Sequence, residues 1–322
     1  LIYTALISIQ YKRILIMQNQ SSDQQSLIKS NLICMLSMMF FSSGFVAVEY
    51  LLNAGWHPVY LNFLRHIIVV LFLIPVWIYF DGLKAFLGAN WLWGIFVGGI
   101  GFGAGSMLLL YGQVFSDPVT VTIISGVFPA VSGLLEVILD KRKLNKEFVI
   151  GVSIAVIGGM VVIAGADNTV RVSWGAIFAL LAVILFSWAS RANVVDFPNL
   201  TTLGQTSICM VGSCFVMSII SFIMFLTDQF QNQSIFDMSK IELGQLMIYG
   251  ILGMAVSQFF WLSGIKKIGL GLASIHINTV SFYVMIIMLS LGGVWNGLHF
   301  LGALIVGAGI IISQTSRKSF IN

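Results

Sequence analysis

The sequence predicts an all-α integral membrane protein whose ten transmembrane helices form two inverted five-helix repeats. Three observations lead to this fold class. Hydrophobic residues make up 58% of the 322 residues and charged residues only 9%, whereas soluble domains average about 25% charged residues. The apolar residues fall in ten long stretches, and a spaced pair of glycines recurs in each half of the chain. This composition excludes a water-soluble enzyme, a nucleic-acid-binding protein and a disordered protein.

Each of the ten stretches is long enough to cross a bilayer as a helix, because about 20 helical residues span a hydrocarbon core of about 30 Å. The loops between the stretches are short, and none is long enough to hold a soluble domain. The predicted spans are residues 31–52, 58–79, 91–112, 118–139, 148–165, 173–190, 200–226, 243–264, 272–292 and 298–316.

Lysine and arginine residues set the predicted orientation, since cytoplasmic loops carry the excess of these residues. With the N-terminus in the cytoplasm, 13 of the 16 basic residues lie in cytoplasmic segments, and the outside loops hold only Arg171 and Lys240. We therefore expect a multi-pass protein of the cytoplasmic (inner) membrane with both termini inside. Residues 1–30 are predicted to be a cytoplasmic N-terminal tail, in which Met17 is an alternative start, and residues 317–322 a cytoplasmic C-terminal tail.

An internal repeat relates the two halves of the chain. In the fifth span, Gly151 and Gly158 are seven residues apart. The tenth span has the same spacing between Gly302 and Gly309. Gly151 and Gly302 are separated by the same number of residues as Gly158 and Gly309. We call this separation the repeat offset. Fixed self-similarity of this kind is the sequence signature of duplicated structural units.

A second match lies at the starts of the second and seventh spans. Pro58 stands seven residues before Arg65, and Pro198 stands seven residues before Gln205. The two prolines are somewhat closer together than the repeat offset, a difference that loops of unequal length can absorb. Each half then has five spans, and because five is odd the second half enters the membrane from the opposite side. Inverted repeats of this kind place a binding site near the middle of the membrane, where the halves meet. The predicted repeats are residues 31–165 and 173–316.

Five short segments carry a family resemblance. They are Leu61–Arg65 in the second span, Ser125–Pro129 in the fourth, Ile150–Gly159 in the fifth, Trp261–Gly269 in the eighth and Leu301–Gly309 in the tenth. In these segments, and over roughly residues 30–316, the chain resembles the drug/metabolite transporter superfamily in its ten-span type with two EamA-type repeats. The resemblance implies a ten-helix fold and the transport of a small molecule.

Arg65 is the strongest candidate for substrate binding, since a charged side chain inside a span is costly and marks a functional site by default. Its planar guanidinium group suits carboxylate or phosphate groups. The alternative is a structural pairing between Arg65 and Glu49 of the first span. A desolvated glutamate can hold a proton near neutral pH, so Glu49 is the candidate for proton coupling.

Uncharged polar and aromatic residues inside the spans are the other candidates for the substrate cavity. For each polar residue the alternative is a helix–helix hydrogen bond, and for each aromatic residue it is a place in the core or against lipid. The candidates are Asn62, His66, Tyr111, Gln258, Trp261 and Asn278.

Two features concern helix shape and packing. Gly99, Gly101 and Gly103 in the third span predict close helix packing, with a flexible gating helix as the alternative. Pro129 in the fourth span predicts a kink, because proline lacks the N–H that an α-helix requires and its ring clashes with the preceding turn.

The leading functional prediction is a secondary transporter that exports small metabolites such as amino acids by alternating access. The alternatives are a proton-coupled multidrug efflux transporter for lipophilic cations and a non-transporting membrane receptor or scaffold. The sequence contains no nucleotide-binding motif, catalytic grouping or metal-ligand spacing, so we expect no enzyme activity, cofactor, metal or nucleic-acid partner. The expected partners are a small-molecule substrate and the lipid bilayer, for a monomer or homodimer.

Overall fold

The computed structural model describes most of the chain. The described residues are 2–141, 146–147, 149–151, 153–154, 157–158, 161, 174–227, 233–293 and 297–315. Side chains are described from Ile28 onward, except at 140, 271, 272, 275, 299, 306, 310, 311 and 313–315. Every regular element within this described part is helical, which confirms the all-α class.

Twelve helices lie in the described ranges outside residues 146–161, where helical residues are described only in short separate pieces. They are α1 (Ile2–Asn53), α2 (Pro58–Asp81), α3 (Leu83–Leu87), α4 (Trp91–Val114), α5 (Pro118–Ser125), α6 (Phe128–Asp140), α7 (Trp174–Asp196), α8 (Thr202–Leu226), α9 (Lys240–Ile268), α10 (Leu270–Ala273), α11 (Thr279–Ser290) and α12 (Gly297–Thr315). A short 3₁₀ turn (Ile235–Asp237) precedes α9, and a 3₁₀ segment (Ser274–Asn278) joins α10 to α11.

Seven helical segments in the described part are long and apolar enough to cross a membrane. They correspond to the predicted spans one to four and six to eight, so the expectation of a multi-pass membrane protein is confirmed. The apolar helical stretches at the predicted ninth and tenth spans are shorter, His276–Ser290 and Phe300–Gly309. The predicted fifth span, 148–165, lies largely outside the described residues, and the total of ten stays a prediction.

The first helix is longer than its predicted span. α1 runs from Ile2 to Asn53 and passes through the polar stretch that the sequence predicts as part of a tail. The backbone hydrogen bonds of an α-helix lie within the segment and need no apolar side chains. The part of α1 that is apolar enough to span a membrane begins at Ile28, close to the predicted residue 31.

The third and eighth predicted spans share an irregularity in their middle. α4 contains a π-helical segment at Val97–Ala104, and α9 contains one at Ile248–Val256. π-helical turns are rare and occur frequently at functional sites. The starts of the two segments, Val97 and Ile248, are separated by the repeat offset of the glycine pairs.

The fourth predicted span is broken into α5 and α6. The amides of Gly126 and Val127 bond to carbonyls three residues back, as in a 3₁₀ turn, and α6 begins directly afterwards with Pro129 in its first turn. The structure therefore has a break in place of the expected kink. Proline fits the first turn of the new helix, because the N–H groups of that turn have no partner within the helix. The ninth predicted span is interrupted in the same way by Ser274–Asn278, and the starts of α6 and α11 are also separated by the repeat offset.

Glycines allow close crossings between helices. A Cβ atom on Gly253 of α9 would lie 2.7 Å from Cα of Gly44 in α1. In the matching segment of α4, a Cβ atom on Gly101 would overlap Cβ of Ala189 in α7. Both glycines lie in π-helical segments. A glycine within such a segment therefore allows α9 to pack closely on α1, and α4 on α7.

Two hydrogen bonds between a tryptophan and a carboxylate join the halves at opposite ends of the bundle. Nε1 of Trp56, in the turn before α2, donates to Glu242 at 2.7 Å. Nε1 of Trp93, at the start of α4, donates to Asp196 at 2.9 Å. Trp56 stands two residues before Pro58 and Asp196 two residues before Pro198, so they occupy matching positions in the proline match. Trp93 and Glu242 each occupy the third position of a helix. The two bonds therefore join similar places in the two halves with donor and acceptor exchanged, although the repeat offset places Gly244, and not Glu242, opposite Trp93.

Candidate functional site

A central cavity lies between the helices of the two halves. It contains about 710 Å³ of space that no protein atom occupies, with the open solvent at its mouth included. α1, α2, α4, α5 and α6 form one part of its wall, and α7, α8, α9 and Ile277 form the other. A ligand in this cavity would contact both halves at once.

The wall of the cavity is mostly apolar, with a few polar groups and one charge. Aromatic rings come from Phe41, Phe102, Phe128, Phe186 and Trp261. The polar side chains are Ser37, Ser106, Ser125, Ser190, Ser257 and Gln258. Among the described residues of the wall, Arg65 carries the one formal charge.

Arg65 is buried at the boundary between the central cavity and a smaller pocket beside it. The side chain is 7% exposed, and it lines both spaces. Its guanidinium carbon lies 4.3 Å from the ring centroid of Tyr249, a cation–π contact. Its Nε has no hydrogen-bond partner, and no described carboxylate forms an ion pair with it. Because an unpaired buried charge is costly, the guanidinium group favours an anionic or strongly polar ligand.

Glu49 is bound by a glutamine instead of by Arg65. Nε2 of Gln113 donates to Oε2 of Glu49 at 2.8 Å and also to the carbonyl oxygen of Phe45 at 2.9 Å. Gln113 and Arg65 both line the smaller pocket, whereas Glu49 lines neither space. The structural alternative of an Arg65–Glu49 pair is therefore wrong in this conformation, since the carboxylate points to a different neighbour.

Gln258 and Trp261 both lie in the wall of the central cavity. Nε2 of Gln258 is buried and has no hydrogen-bond partner among the described residues. Nε1 of Trp261 donates to Oγ of Ser190 at 3.2 Å. The Phe128 ring packs edge-on against the Trp261 indole, with centroids 5.8 Å apart. Trp261 is therefore held in place, while Gln258 offers an unused N–H donor.

Comparison with known proteins connects this architecture to transporters. Residues 28–164 match the EamA-like transporter family. The uncharacterized transporter YetK of Bacillus subtilis (strain 168) is 24% identical over 66% of this chain, and the match spans 64% of YetK. The uncharacterized transporter YyaM of the same organism is 25% identical over 75% of this chain and 79% of YyaM. A solved crystal structure has the same fold, with a TM-score of 0.68 at 15% identity over 91% of this chain and 99% of that one.

Residues 28–164 are therefore similar to a family of transporters, and both of these relatives carry the name of a transporter. The stretch that matches the EamA-like family begins with the membrane-length part of α1. It contains Arg65, Glu49 and the first π-helical segment.

Two predicted site residues next to Arg65 lie outside the cavity wall. Asn62 is fully buried, and its Nδ2 donates to Oγ of Ser106 in α4 at 3.0 Å. His66 is also fully buried, with Nδ1 2.7 Å from the carbonyl oxygen of Asn62. Asn62 therefore joins α2 to α4, and it reaches the cavity only through Ser106, which lines it.

Tyr111 and Asn278 are also absent from the described wall. Tyr111 belongs to an aromatic cluster with Phe115 and Phe178, at centroid distances of 6.1 and 6.4 Å. Asn278 ends the 3₁₀ segment, and its carbonyl oxygen accepts a bond from Ser281. The neighbouring Ile277 lines the cavity instead.

Sequence reasoning missed several residues of the site, among them Ser106 and Tyr249. A signal for Ser106 was available, because Phe102, Ser106 and Leu109 follow the i, i+4, i+7 spacing of one helix face and all three line the cavity. Tyr249 has no such signal. Tyr249 contacts Arg65 because α9 packs against α2 at the position of Arg65.

Proposed function

We propose that this chain is a secondary transporter of the cytoplasmic membrane that exports small metabolites by alternating access. Its substrate site is the central cavity. The observation that carries this proposal is the wall of the cavity, which both halves of the chain supply. A site of that kind changes its access when the halves rock against each other.

Repeated irregularities support a plan of ten helices in two inverted repeats. The π-helical segments of α4 and α9 recur at the repeat offset, and so do the starts of α6 and α11 after their interrupted turns. A single irregular turn has little meaning. Two different irregularities at the offset of the glycine pairs favour duplication of one five-helix unit.

The paired hydrogen bonds at the two ends of the bundle support alternating access. Trp56 bonds to Glu242 at one end, and Trp93 bonds to Asp196 at the other. If the two halves are inverted copies, a contact that closes one end of the bundle has an equivalent contact at the other end, and alternating access opens one end at a time. The exchange of donor and acceptor is consistent with this relation.

Reconstitution tests the proposal with one cavity variant and one matched control. Ser125 lines the cavity and donates to the carbonyl oxygen of its own helix at 2.8 Å. Ser218 makes the same bond at 2.8 Å in α8 but is absent from the described wall. We expect the protein in liposomes to move at least one member of a metabolite panel, Ser125→Trp to abolish this flux, and Ser218→Trp to preserve it.

Two results would count against the proposal. One is no flux of any metabolite under any imposed ion gradient, although the protein is folded and inserted. The other is undiminished flux through Ser125→Trp, because an indole in the cavity must obstruct a substrate that passes through it.

The second candidate is a proton-coupled multidrug efflux transporter for lipophilic cations. The aromatic wall favours it, because aromatic faces attract cations. Arg65 in the same wall disfavours it, because a buried positive charge repels a cationic ligand. If Glu49 carries the coupling proton, Glu49→Gln abolishes dye efflux driven by a pH gradient, and unchanged efflux removes Glu49 from the mechanism.

A further inference from the structure

The polar groups of the central cavity restrict the chemistry of its ligand. We propose that the cavity takes an organic monocarboxylate with an apolar body, with the carboxylate against Arg65. This inference rests on the proposed transport function and concerns the substrate class of that same site.

The unsatisfied groups in the wall are hydrogen-bond donors. Nε of Arg65 and Nε2 of Gln258 are both buried and have no hydrogen-bond partner, and both residues line the cavity. A buried donor without an acceptor is destabilising. A ligand that satisfies both groups must therefore present hydrogen-bond acceptors, and a carboxylate presents two acceptor oxygens.

The charges in the wall favour one negative charge on the ligand. Arg65 is 7% exposed, and its contact with Tyr249 leaves its charge uncompensated by any described carboxylate. One anion neutralises it. A second anionic group has no further cation in the described wall, and an ammonium group has no carboxylate there. A monoanion fits this balance better than a dianion, a zwitterion or a cation.

The apolar residues of the wall indicate the chemistry of the ligand beyond its carboxylate. Phe102, Phe128, Phe186 and Trp261 surround the space beyond Arg65. The serine hydroxyls nearby are already engaged. Oγ of Ser257 donates to Gly253 at 2.8 Å, for example. Apolar surface in such a site is favourable in proportion to the area removed from water, so an aromatic or branched aliphatic body is expected.

A ligand series on the wild-type protein tests the charge assignment without any mutation. Binding to the purified full-length chain in detergent is measured by calorimetry for phenylpropanoate, phenylpropanamide, phenylpropylamine and phenylalanine. These probes share one body and differ in charge. We expect phenylpropanoate to bind at least about tenfold more tightly than the other three, the range of a charge-assisted hydrogen bond. Equal or tighter binding of the amide, the amine or the amino acid would overturn the proposal.

Water-soluble acids and fatty acids from the bilayer present the same carboxylate chemistry. Palmitate, added in detergent, is compared with phenylpropanoate. Preferential binding of either acid over its own amide supports a carboxylate ligand. The acid that binds more tightly then shows whether the ligand comes from the aqueous phase or from the bilayer.

Variants then locate the carboxylate. Arg65→Gln is expected to weaken phenylpropanoate at least about tenfold and to leave phenylpropanamide unchanged. Lys84→Gln removes a positive charge from an exposed position on α3 and is expected to change neither. Gln258→Leu is a second variant that keeps the charge, and it weakens the acid several-fold. Unaltered acid affinity in a folded Arg65→Gln protein would overturn the assignment.

Flux measurements separate this proposal from the proposed function. Acid-selective binding without flux under any gradient would overturn transport and support the ligand class. Flux of the amine or amide as fast as that of the acid would support transport and overturn the ligand class.

Discussion

The crossing of α1 and α9 gives a quantitative test of the packing. A Cβ atom on Gly253 would lie 2.7 Å from Cα of Gly44 and 3.2 Å from its backbone nitrogen. Carbon atoms in contact prefer separations of about 3.5–4.0 Å. The obstacle is backbone and cannot rotate away, so Gly253→Ala forces the two helices apart by about 1 Å.

The expected cost follows from this displacement. Overpacking a well-packed core by a methyl-sized group costs about 1–3 kcal/mol. Alanine also gains up to about 1 kcal/mol over glycine from helix propensity, which partly hides the clash. Gly244 lies in the same helix, and a Cβ there meets nothing within 4 Å. Gly244→Ala therefore isolates the propensity gain, and Gly253→Ala should be about 1–3 kcal/mol less stable than this control.

The measurement is equilibrium unfolding by sodium dodecyl sulfate in mixed micelles, followed by circular dichroism. Gly44→Ala adds a third variant, because a Cβ atom on Gly44 would lie 3.1 Å from Cα of Gly253. Its free energy of unfolding should lie between those of the other two variants. Equal stabilities for Gly253→Ala and Gly244→Ala would refute the reasoning, since they would mean that the crossing has room for a methyl group.

Three further predictions concern single contacts. Asn62→Leu removes the bond to Ser106 and should lower the free energy of unfolding in mixed micelles by about 1–3 kcal/mol. An unchanged free energy of unfolding would mean that this bond does not stabilise the fold. Trp56→Phe and Trp93→Phe should each cost about 0.5–1.5 kcal/mol, and strongly unequal costs would contradict the correspondence of the two bonds. Burial lowers the pKa of His57, which favours its neutral form in the folded protein. The stability it contributes is present above its ordinary pKa and is lost as the pH falls through that range, so the melting temperature should fall less between pH 7.5 and pH 5.5 in His57→Asn.

The membrane class and the positions of most spans follow from the sequence, because both depend on local properties. A helix that crosses a bilayer needs a continuous apolar run, and such a run can be read without knowing any neighbour. The same holds for Pro129, whose effect on the backbone is local. Even there, the sequence predicts a kink, while the structure has a break, because Gly126 and Val127 change to 3₁₀ bonding first.

The candidate site was predicted in part. Arg65 was found because a buried charge is rare in a span, and Gln258 and Trp261 were found as polar and aromatic residues near family-like segments. Asn62 and His66 were predicted to line the wall because they are polar residues inside a span. On a helix each residue turns about 100° from its neighbour, so residues close in sequence face different helices.

The sequence by itself determined that this is a helical membrane protein with repeated features, since apolar length and glycine spacing are properties of single segments. Only the tertiary structure decided which side chains share a space. Arg65 meets Tyr249, and Glu49 meets Gln113, because the rotation of each helix about its axis is set by its contacts with the others. That rotation depends on packing across the bundle, and no single segment contains the information.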